Sequence, residues 1–263
     1  MNPSRVKARW AQGKPVLCVL NHLVDARATE VIATMGFDCI WIDLEHGERS
    51  TETLAHLCRA ARLAGADVMA RPAKGEFMRM GRLLEAGAHG ILYPRCESVE
   101  EAREVVRWAK FPPLGERGFD SGNADNTYGE HPATEYVPEA NRQTWIAIQI
   151  ESPNALPHAR AIAEVDGVDM IFFGPCDYSN LSGKIGLFRD PSIMQAARQI
   201  AKDTRAAGKH FGTLAFDLGH AKQLLDLGAT FLNCGADIGM LRRSLAEAQR
   251  GYAELGFCFG RIA

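Results

Sequence analysis

Four reactive side chains stand at or directly after short apolar runs of this sequence. His46 follows the second such run, Arg71 ends the third, Glu151 follows the fifth and Asp177 follows the sixth. One polar residue in such a place carries little information, but a histidine, an arginine and two carboxylates in four such places form a pattern. Because the carboxyl ends of the strands of a parallel barrel share one face, we expect the four side chains to converge on one site.

The residue types at this expected site fit one kind of chemistry. Glu151 and Asp177 are oxygen donors, and two carboxylates that leave coordination positions open suit Mg²⁺ or Mn²⁺. A 2-keto acid can fill two of those positions with its carboxylate and keto oxygens. Arg71 offers a planar fork to a carboxylate or to a developing enolate oxygen, and His46 is suited to moving a proton. Glu45 is a candidate either for the metal or for the groups around it.

Eight short apolar runs, each followed by a longer segment, must position these side chains. Runs of this length that are rich in Ile, Val and aromatic residues are typical of strands buried on both faces of a parallel sheet. The predicted strands are Val16–Leu20, Cys39–Asp43, Asp67–Arg71, Gly90–Tyr93, Trp145–Ile150, Asp169–Phe173, His210–Ala215 and Thr230–Cys234. Their alternation with helices indicates an α/β fold, a (β/α)8 barrel. The competing doubly wound sheet often carries a G-x-G-x-x-G loop after its first strand, and this sequence has none there.

The segments between the runs have the spacing of helices. Thr51–Leu63, Phe77–Leu84 and Val99–Ala109 each place apolar residues on one face, and Ser50 is the predicted N-cap of the first. Glycines that follow a helical segment and precede a strand are typical C-caps of such connections. These glycines are Gly36, Gly65, Gly87, Gly208 and Gly228.

Composition and charge narrow the class of protein. The chain has 263 residues, 46% of them hydrophobic and 24% charged, so it can bury a large core without disulfides or metals. Its 30 Lys and Arg residues and 32 Asp and Glu residues give a net charge of −2, which argues against a dedicated nucleic-acid-binding protein. We find neither an apolar run long enough for a membrane helix nor an apolar signal core, so we expect a cytoplasmic protein that binds no membrane. Without a linker-like stretch, residues 1–263 are predicted to form one domain.

One long segment interrupts the alternation between the fourth and fifth predicted strands. Residues 111–141 contain four prolines and four glycines. Connections of this length without secondary structure are usually functional. We expect the segment to lie over the mouth of the barrel, as a functional loop or an interface segment.

Seven stretches of the sequence, several of which contain the candidate residues, resemble one known family. They are WIDLEHG, RPAKG, AGAHGILYPRCESVEEAREVV, GERG, IQIES, FFGPCDYSNLSG and GATFLNCGAD. These stretches look like the HpcH/HpaI family of class II, metal-dependent pyruvate aldolases, which includes 4-hydroxy-2-oxoheptanedioate aldolase and 2-dehydro-3-deoxyglucarate aldolase. The likeness extends from about Val16 to Asp237. It implies a (β/α)8 TIM barrel of the phosphoenolpyruvate/pyruvate type and lyase activity.

The resemblance also implies roles for individual residues. Glu151 and Asp177 match the family's ligands for Mg²⁺, Mn²⁺ or Co²⁺, and Arg71 matches the arginine that binds the pyruvate keto oxygen and steadies its enolate. His46 matches the catalytic histidine, which acts as acid and base through water. Glu85 stands where the family often has an aspartate that pairs with this histidine from a neighbouring subunit. The implied substrate-binding residues are Arg71, Gln149, Gly174, Pro175, Cys176, Asp177 and Leu214.

Assembly is a further implication of the resemblance. The family is typically hexameric, a trimer of dimers, with C-terminal helices exchanged between partners. The amphipathic tail over residues 238–263 fits that arrangement.

The long segment departs from the family. Members that act on hydroxy-keto diacids tend to carry another arginine after the R-G motif, whereas here Gly118 is followed by FDSGNADNTYG. We therefore expect Asn123, Asn126 and Tyr128 to contact a polar, uncharged acceptor.

Together these residues predict a lyase for the reversible aldol cleavage of a 4-hydroxy-2-keto acid to an aldehyde and pyruvate or a related 2-keto acid. Two alternatives stay open at this point. An oxaloacetate decarboxylase or macrophomate-synthase-like enzyme uses the same enolate-stabilising residues and releases CO₂. A non-catalytic keto-acid-binding protein needs no proton-transferring residue, so His46 speaks against it.

Overall fold

Eight parallel strands pair in chain order in the computed structural model, and the last pairs with the first to close a barrel. The structure describes residues 3–260. Met1, Asn2 and residues 261–263, which belong to the predicted domain and its tail, lie outside the described residues. The predicted (β/α)8 barrel is confirmed, whereas the single domain over the whole chain stays a prediction.

The predicted strands are found with small shifts at their ends. Their bounds are β1 Val16–Asn21, β2 Cys39–Asp43, β3 Asp67–Arg71, β4 Gly90–Tyr93, β5 Trp145–Ile150, β6 Met170–Phe173, β7 His210–Leu214 and β8 Ala229–Ala236. The helices within residues 3–260 are α1 Arg5–Ala11, α2 Ala26–Thr34, α3 Thr51–Arg62, α4 Phe77–Glu85, α5 Val99–Ala109, α6 Ala133–Gln143, α7 Ala159–Ala163, α8 Pro175–Leu181, α9 Pro191–Ala206, α10 Leu218–Asp226 and α11 Asp237–Glu254. A 3₁₀ turn over Leu156–His158 precedes α7.

Along each strand, side chains alternate between the inside of the barrel and the surrounding helices. In β5, Trp145 and Ala147 belong to the apolar cluster inside the barrel, whereas Ile146 and Ile148 belong to the cluster between strands and helices. The inner cluster consists mostly of large side chains and fills the barrel as a packed core. This alternation also decides which polar residues at the strand ends face inward.

Helix α1, which the sequence analysis did not predict, closes the end of the barrel where the strands begin. Its Trp10 packs against the inner cluster and against Trp145. The carboxylate of Asp67, the first residue of β3, accepts hydrogen bonds from the Ser4 hydroxyl, from the amides of Arg5 and Val6, and from the Trp145 indole. A buried carboxylate with this many donors ties the helix to the barrel floor.

The long segment between α5 and β5 lies at this same closed end. Lys110 donates to the carbonyls of Asn141 and Thr144, and Arg62 at the end of α3 donates to the carbonyl of Ala124. The expectation that the segment lies over the mouth is therefore wrong for its own barrel. The reason is its direction, because a connection from the end of a helix to the start of a strand belongs to the N-terminal face of a (β/α)8 barrel.

The asparagines expected to contact an acceptor serve the segment itself. The Asn126 amide donates to the carbonyls of Ser121 and His131, and the Asn123 side chain accepts from the Asn126 backbone. Tyr128 is exposed. Within one chain, the two asparagines stabilise the loop, which lies at the end of the barrel opposite to the predicted site.

The C-terminal helix α11 follows β8 directly and leaves the body of the barrel. Asp237, its first residue, is the only one of its residues that is buried within the described chain. Among residues 3–260, no helix combines the length and the apolar character needed to cross a bilayer. Whether α11 is exchanged with a partner stays a prediction.

Candidate active site

The predicted site lies where the strands end, and strand alternation places its polar side chains in one inward-facing layer. Asp43 and Arg71 are register partners at the ends of β2 and β3. Both are buried, and so is Gln149 in β5. Each continues the inward-facing series of its strand, as Asp43 does after Trp41. The barrel interior is therefore apolar in its middle and polar at its mouth.

Arg71 is held in place by a buried ion pair. Its Nε and Nη2 atoms donate to the two oxygens of Asp43 at 2.8 and 2.6 Å, and its guanidinium stacks over Trp41 at 4.7 Å. The planar fork that the sequence analysis offers to the substrate is thus occupied by Asp43. The remaining nitrogen, Nη1, lies 3.4 Å from Gln149 Oε1.

Gln149 connects Arg71 to Glu151. Its Nε2 atom donates to Glu151 Oε2 at 2.6 Å, and the backbone amide of Arg95 donates to Glu151 Oε1 at 2.8 Å. A Cβ atom on Gly174 would lie 2.5 Å from Glu151 Oε2, so only glycine fits where β6 ends. Each oxygen of Glu151 is oriented by one donor and keeps a lone pair for another partner.

Negative charge accumulates around Glu151. Burial and the neighbouring Asp177 raise the pKa of Glu151 to about 8. Burial also raises the pKa of Glu45. Its Oε2 atom lies 3.2 Å from Arg71 Nε, yet it is buried with no hydrogen-bond partner among the described residues, because that N–H is directed to Asp43. Four carboxylates, Asp43, Glu45, Glu151 and Asp177, thus lie around the guanidinium of Arg71 at the mouth.

This donor set fits a divalent cation. The half-buried Asp177 is close enough to Glu151 to help raise the pKa of Glu151, and a cation between the two carboxylates would relieve that repulsion. No cluster of three or more His, Cys, Asp or Glu side chains suited to a metal occurs in the described part of the chain. A cation held by these two carboxylates would complete its coordination with water and substrate oxygens, as Mg²⁺ commonly does.

His46 stands at the rim of the mouth. Its side chain is 67% exposed and lies 3.9 Å from Glu45 Oε2. Its backbone is fixed more firmly, because Asp43 Oδ1 accepts from the amides of Glu45 and His46 and Arg49 donates to the His46 carbonyl. The imidazole is therefore free to meet solvent and substrate while its peptide unit is held.

The structure brings most of the predicted residues to this mouth. Those at the carboxyl ends of strands are His46, Arg71, Gln149, Glu151, Gly174, Pro175, Cys176, Asp177 and Leu214. Of the G-P-C-D run, Gly174 and Pro175 are buried and Cys176 is exposed. Glu85 is not among them, because it ends α4 at the opposite face of the barrel. A role for Glu85 beside a His46 therefore requires a second subunit, as the resemblance implies, and its assignment stays a prediction.

Sequence reasoning missed the role of Asp43. The residue was visible as the last member of the second apolar run, but only the partner of Arg71 makes its function clear. Its position two residues after the inward-facing Trp41 was the signal that could have identified it. Glu45, which the sequence left between two roles, contacts Arg71 directly.

With this geometry in view, comparison with known proteins identifies the family. The family model of HpcH/HpaI aldolase/citrate lyase matches residues 21–244. A hydroxypyruvate/pyruvate aldolase from Delftia acidovorans is 33% identical over 238 residues, which cover 90% of this chain and 88% of that protein. A 4-hydroxy-2-oxo-heptane-1,7-dioate aldolase from Shigella sonnei is 33% identical over 243 residues, 92% of each protein.

The structural comparison agrees with the sequence comparison. The crystal structure of an HpcH/HpaI aldolase from Desulfitobacterium hafniense matches with a TM-score of 0.88 at 30% identity, over 94% of this chain and 96% of that one. Because the relatives are aldolases by name, the predictions of the family and of a carbon–carbon lyase are confirmed. This chain belongs to the HpcH/HpaI aldolase/citrate lyase family.

Proposed function

We propose that this aldolase cleaves a 4-hydroxy-2-keto acid reversibly to an aldehyde and pyruvate, or a related 2-keto acid. The observation that carries the proposal is the chain of contacts from Arg71 through Gln149 to Glu151. Nη1 of Arg71 donates one N–H to Gln149 and keeps a second, and Glu151, to which Gln149 donates in turn, keeps a free lone pair on each oxygen. A keto oxygen placed between them meets a donor on one side and a candidate cation site on the other.

A divalent cation held by Glu151 and Asp177, Mg²⁺ or Mn²⁺ in our proposal, would polarise the keto oxygen of the substrate as a Lewis acid. Arg71 contributes from the opposite side. Because Asp43 fixes the guanidinium through two hydrogen bonds, Nη1 is oriented before the substrate arrives and needs no rearrangement when charge develops on the oxygen. Gln149 contacts both Arg71 and Glu151 and so keeps these two charged groups at a constant distance from each other.

His46 is the proposed acid and base. In the cleavage direction it accepts, through water, the proton of the 4-hydroxyl group while the C3–C4 bond breaks and C4 becomes the aldehyde carbonyl. The electron pair of that bond moves into the enolate of the 2-keto acid, and a proton added at C3 then completes pyruvate. The exposed imidazole at the rim supports this role, because the proton must reach solvent.

Methyl-proton exchange of pyruvate in D₂O, followed by NMR, tests the enolate chemistry. We expect exchange with Mg²⁺ or Mn²⁺ and its loss with EDTA or in Glu151→Ala. Glu30→Ala, at an exposed position of α2, is the matched control. Exchange as fast in Glu151→Ala as in the wild type would overturn the site. Supplying aldehydes with pyruvate, and separately oxaloacetate, then distinguishes aldol addition from decarboxylation as the preferred reaction.

We further propose a hexameric assembly in which α11 packs on another copy of the chain. Support comes from its exposed apolar side chains Ile238, Leu241, Leu245 and Tyr252, which recur with heptad spacing on one face. Light scattering after gel filtration tests this for Leu245→Glu, with Arg250→Glu as the control on the same helix. A wild-type monomer, or an unchanged mass in Leu245→Glu, would contradict it.

A further inference from the structure

Arg49 is buried in the loop that carries His46, with 8% of its surface exposed. Every hydrogen bond that its side chain makes within residues 3–260 is to a backbone carbonyl. Nη1 donates to Asp43 at 2.9 Å and to His46 at 3.3 Å, and Nη2 donates to Asn21 at 3.0 Å. Burying a guanidinium without a carboxylate partner is costly. Arg49 must therefore offset this cost by fixing the three backbone segments to which those carbonyls belong.

The three carbonyls belong to different parts of the active-site mouth. Asn21 ends β1, Asp43 ends β2, and His46 lies in the loop beyond β2. One rigid, planar group thus joins the ends of two neighbouring strands to the loop of the proposed acid and base. A lysine ammonium is a point donor on a flexible stem and does not reproduce this fork.

The chain folds closely over this guanidinium. Gly47 has φ of +99°, and a Cβ atom there would lie 2.9 Å from Arg49 Nη1. Glycine is therefore favoured at position 47 by the backbone conformation, and a larger residue there would also displace the Arg49 guanidinium from its carbonyl partners. In the run from Glu45 to Arg49, the backbone turns so that the His46 carbonyl points to the Arg49 guanidinium.

The peptide of His46 is held on both sides. Asp43 Oδ1 accepts from its amide at 3.4 Å, while Arg49 Nη1 donates to its carbonyl. The imidazole itself, exposed at the rim, has only Glu45 Oε2 within ion-pair distance among the described residues. Its position therefore depends on the backbone beneath it, and Arg49 fixes the carbonyl side of that backbone.

We propose that Arg49 is a positioning residue that sets His46 for the proton transfer of aldol cleavage. The proposal rests on the proposed function above. The proposal predicts different effects on two reactions, because aldol cleavage requires removal of a hydroxyl proton whereas decarboxylation of oxaloacetate does not. In decarboxylation the C3–C4 bond breaks, CO₂ leaves, and the electron pair enters the same enolate beside Arg71. Loss of Arg49 should impair the first reaction and spare the second.

The test compares Arg49→Met and Arg49→Lys with the wild type, using Mn²⁺-loaded enzyme. Arg62→Met is the matched control, because Arg62 also donates to a loop carbonyl but at the opposite end of the barrel. Cleavage of 4-hydroxy-2-oxopentanoate and decarboxylation of oxaloacetate are measured side by side. We expect Arg49→Met to lower kcat for cleavage about 100-fold, with KM and the decarboxylation rate within about threefold. Arg49→Lys should recover part of the loss.

Two measurements without turnover accompany the kinetics. Mn²⁺ affinity by electron paramagnetic resonance should be unchanged in Arg49→Met, since the carboxylates are untouched. Backbone amide exchange should accelerate over residues 44–48 and stay the same over residues 90–95. If Arg49→Met does not fold, judged by circular dichroism, the same ratios are read from Arg49→Lys.

The outcomes are distinct. Equal losses of cleavage, decarboxylation and Mn²⁺ affinity would overturn the positioning role in favour of a general structural one. Unimpaired cleavage in Arg49→Met would also overturn it. Wild-type enzyme that decarboxylates oxaloacetate but cleaves no 4-hydroxy-2-keto acid would instead overturn the proposed function, and the role of Arg49 in that reaction with it.

Discussion

The two ends of this barrel treat buried carboxylates in opposite ways. At the closed end, Asp67 accepts four hydrogen bonds, from Ser4, from the first two residues of α1 and from Trp145. Both of its carboxylate oxygens therefore have hydrogen-bond donors. At the mouth, Glu151 has two donors and a repelling neighbour in Asp177, and Glu45 has a buried oxygen without a hydrogen bond. The same strands thus join an end whose buried carboxylate has its hydrogen-bond donors to an end whose buried carboxylates lack some of theirs within the described part of the chain.

This difference indicates which end serves stability and which serves chemistry. A fully bonded buried carboxylate anchors the element that donates to it, and removing it leaves several donors unpaired. A cluster of like charges is destabilising by itself and is retained where a ligand or cation compensates it. We therefore expect ligands to bind at the mouth, where the buried carboxylates lack some of their partners among residues 3–260.

The sharpest way to break the comparison is to remove charge from the mouth. Glu151→Gln should lower kcat/KM for aldol cleavage about 1,000-fold, roughly 4 kcal/mol of transition-state stabilisation. Its free energy of unfolding without metal should change by less than about 1 kcal/mol, because removing the cost of burying the carboxylate and its repulsion by Asp177 offsets one lost hydrogen bond. Steady-state kinetics and urea denaturation measure the two effects.

The control for this prediction is Glu30→Gln at an exposed position of α2, which should change neither quantity. A stable Glu151→Gln protein with wild-type activity would mean that the mouth is not the reacting end. A large loss of stability would mean that Glu151 is a structural residue like Asp67.

The reciprocal change is made at the closed end. Asp67→Ala leaves the donors of α1 and Trp145 unpaired, so the free energy of unfolding should fall by about 3 kcal/mol. Activity measured well below the melting temperature should stay within about twofold. Thermal and urea denaturation check the first expectation, and kinetics at low temperature check the second.

Asp166→Ala, at an exposed position, is the matched substitution and should be neutral. If Asp67→Ala reduced activity while leaving stability intact, the division of labour between the two ends would be wrong.

Much of this arrangement was predictable from local patterns. The eight apolar runs predict the strands because a strand buried on both faces must be apolar throughout, apart from its ends. His46, Arg71, Glu151 and Asp177 were found because each stands where such a run stops. Their convergence follows from the shared direction of parallel strands.

What was missed depends on contacts between distant residues. The pairing of Asp43 with Arg71 arises from the register between β2 and β3, which one strand does not encode. Helix α1 is too short to be stable by itself, and it depends on contacts with distant residues such as Asp67 and Trp145. The long segment was placed at the wrong end because its length was weighed and its direction, from helix to strand, was not.

The smallest effect concerns a cation at the closed end. Lys110 is buried beside the carbonyls of Asn141 and Thr144, and burial lowers its pKa from 10.5 to about 8. Above pH 8 the unfolded chain binds more protons at this residue than the folded one, so stability rises with pH in that range. Between pH 8 and 9 the wild type should gain about 1 kcal/mol relative to Lys110→Met. Urea denaturation of both proteins at the two pH values gives this difference directly.

The presence or absence of this gain between pH 8 and 9 distinguishes two descriptions of the closed end. A lysine bound to carbonyls alone carries an uncompensated charge, so deprotonation favours the folded state. If a carboxylate such as Asp169 held Lys110 in an ion pair instead, its pKa would be raised, and stability would fall as pH increased through it. An unchanged difference between pH 8 and 9, with a relative loss of stability only as pH passes a folded pKa above 10.5, would therefore show that the closed end neutralises its charges in pairs, unlike the mouth, where carboxylates outnumber cations.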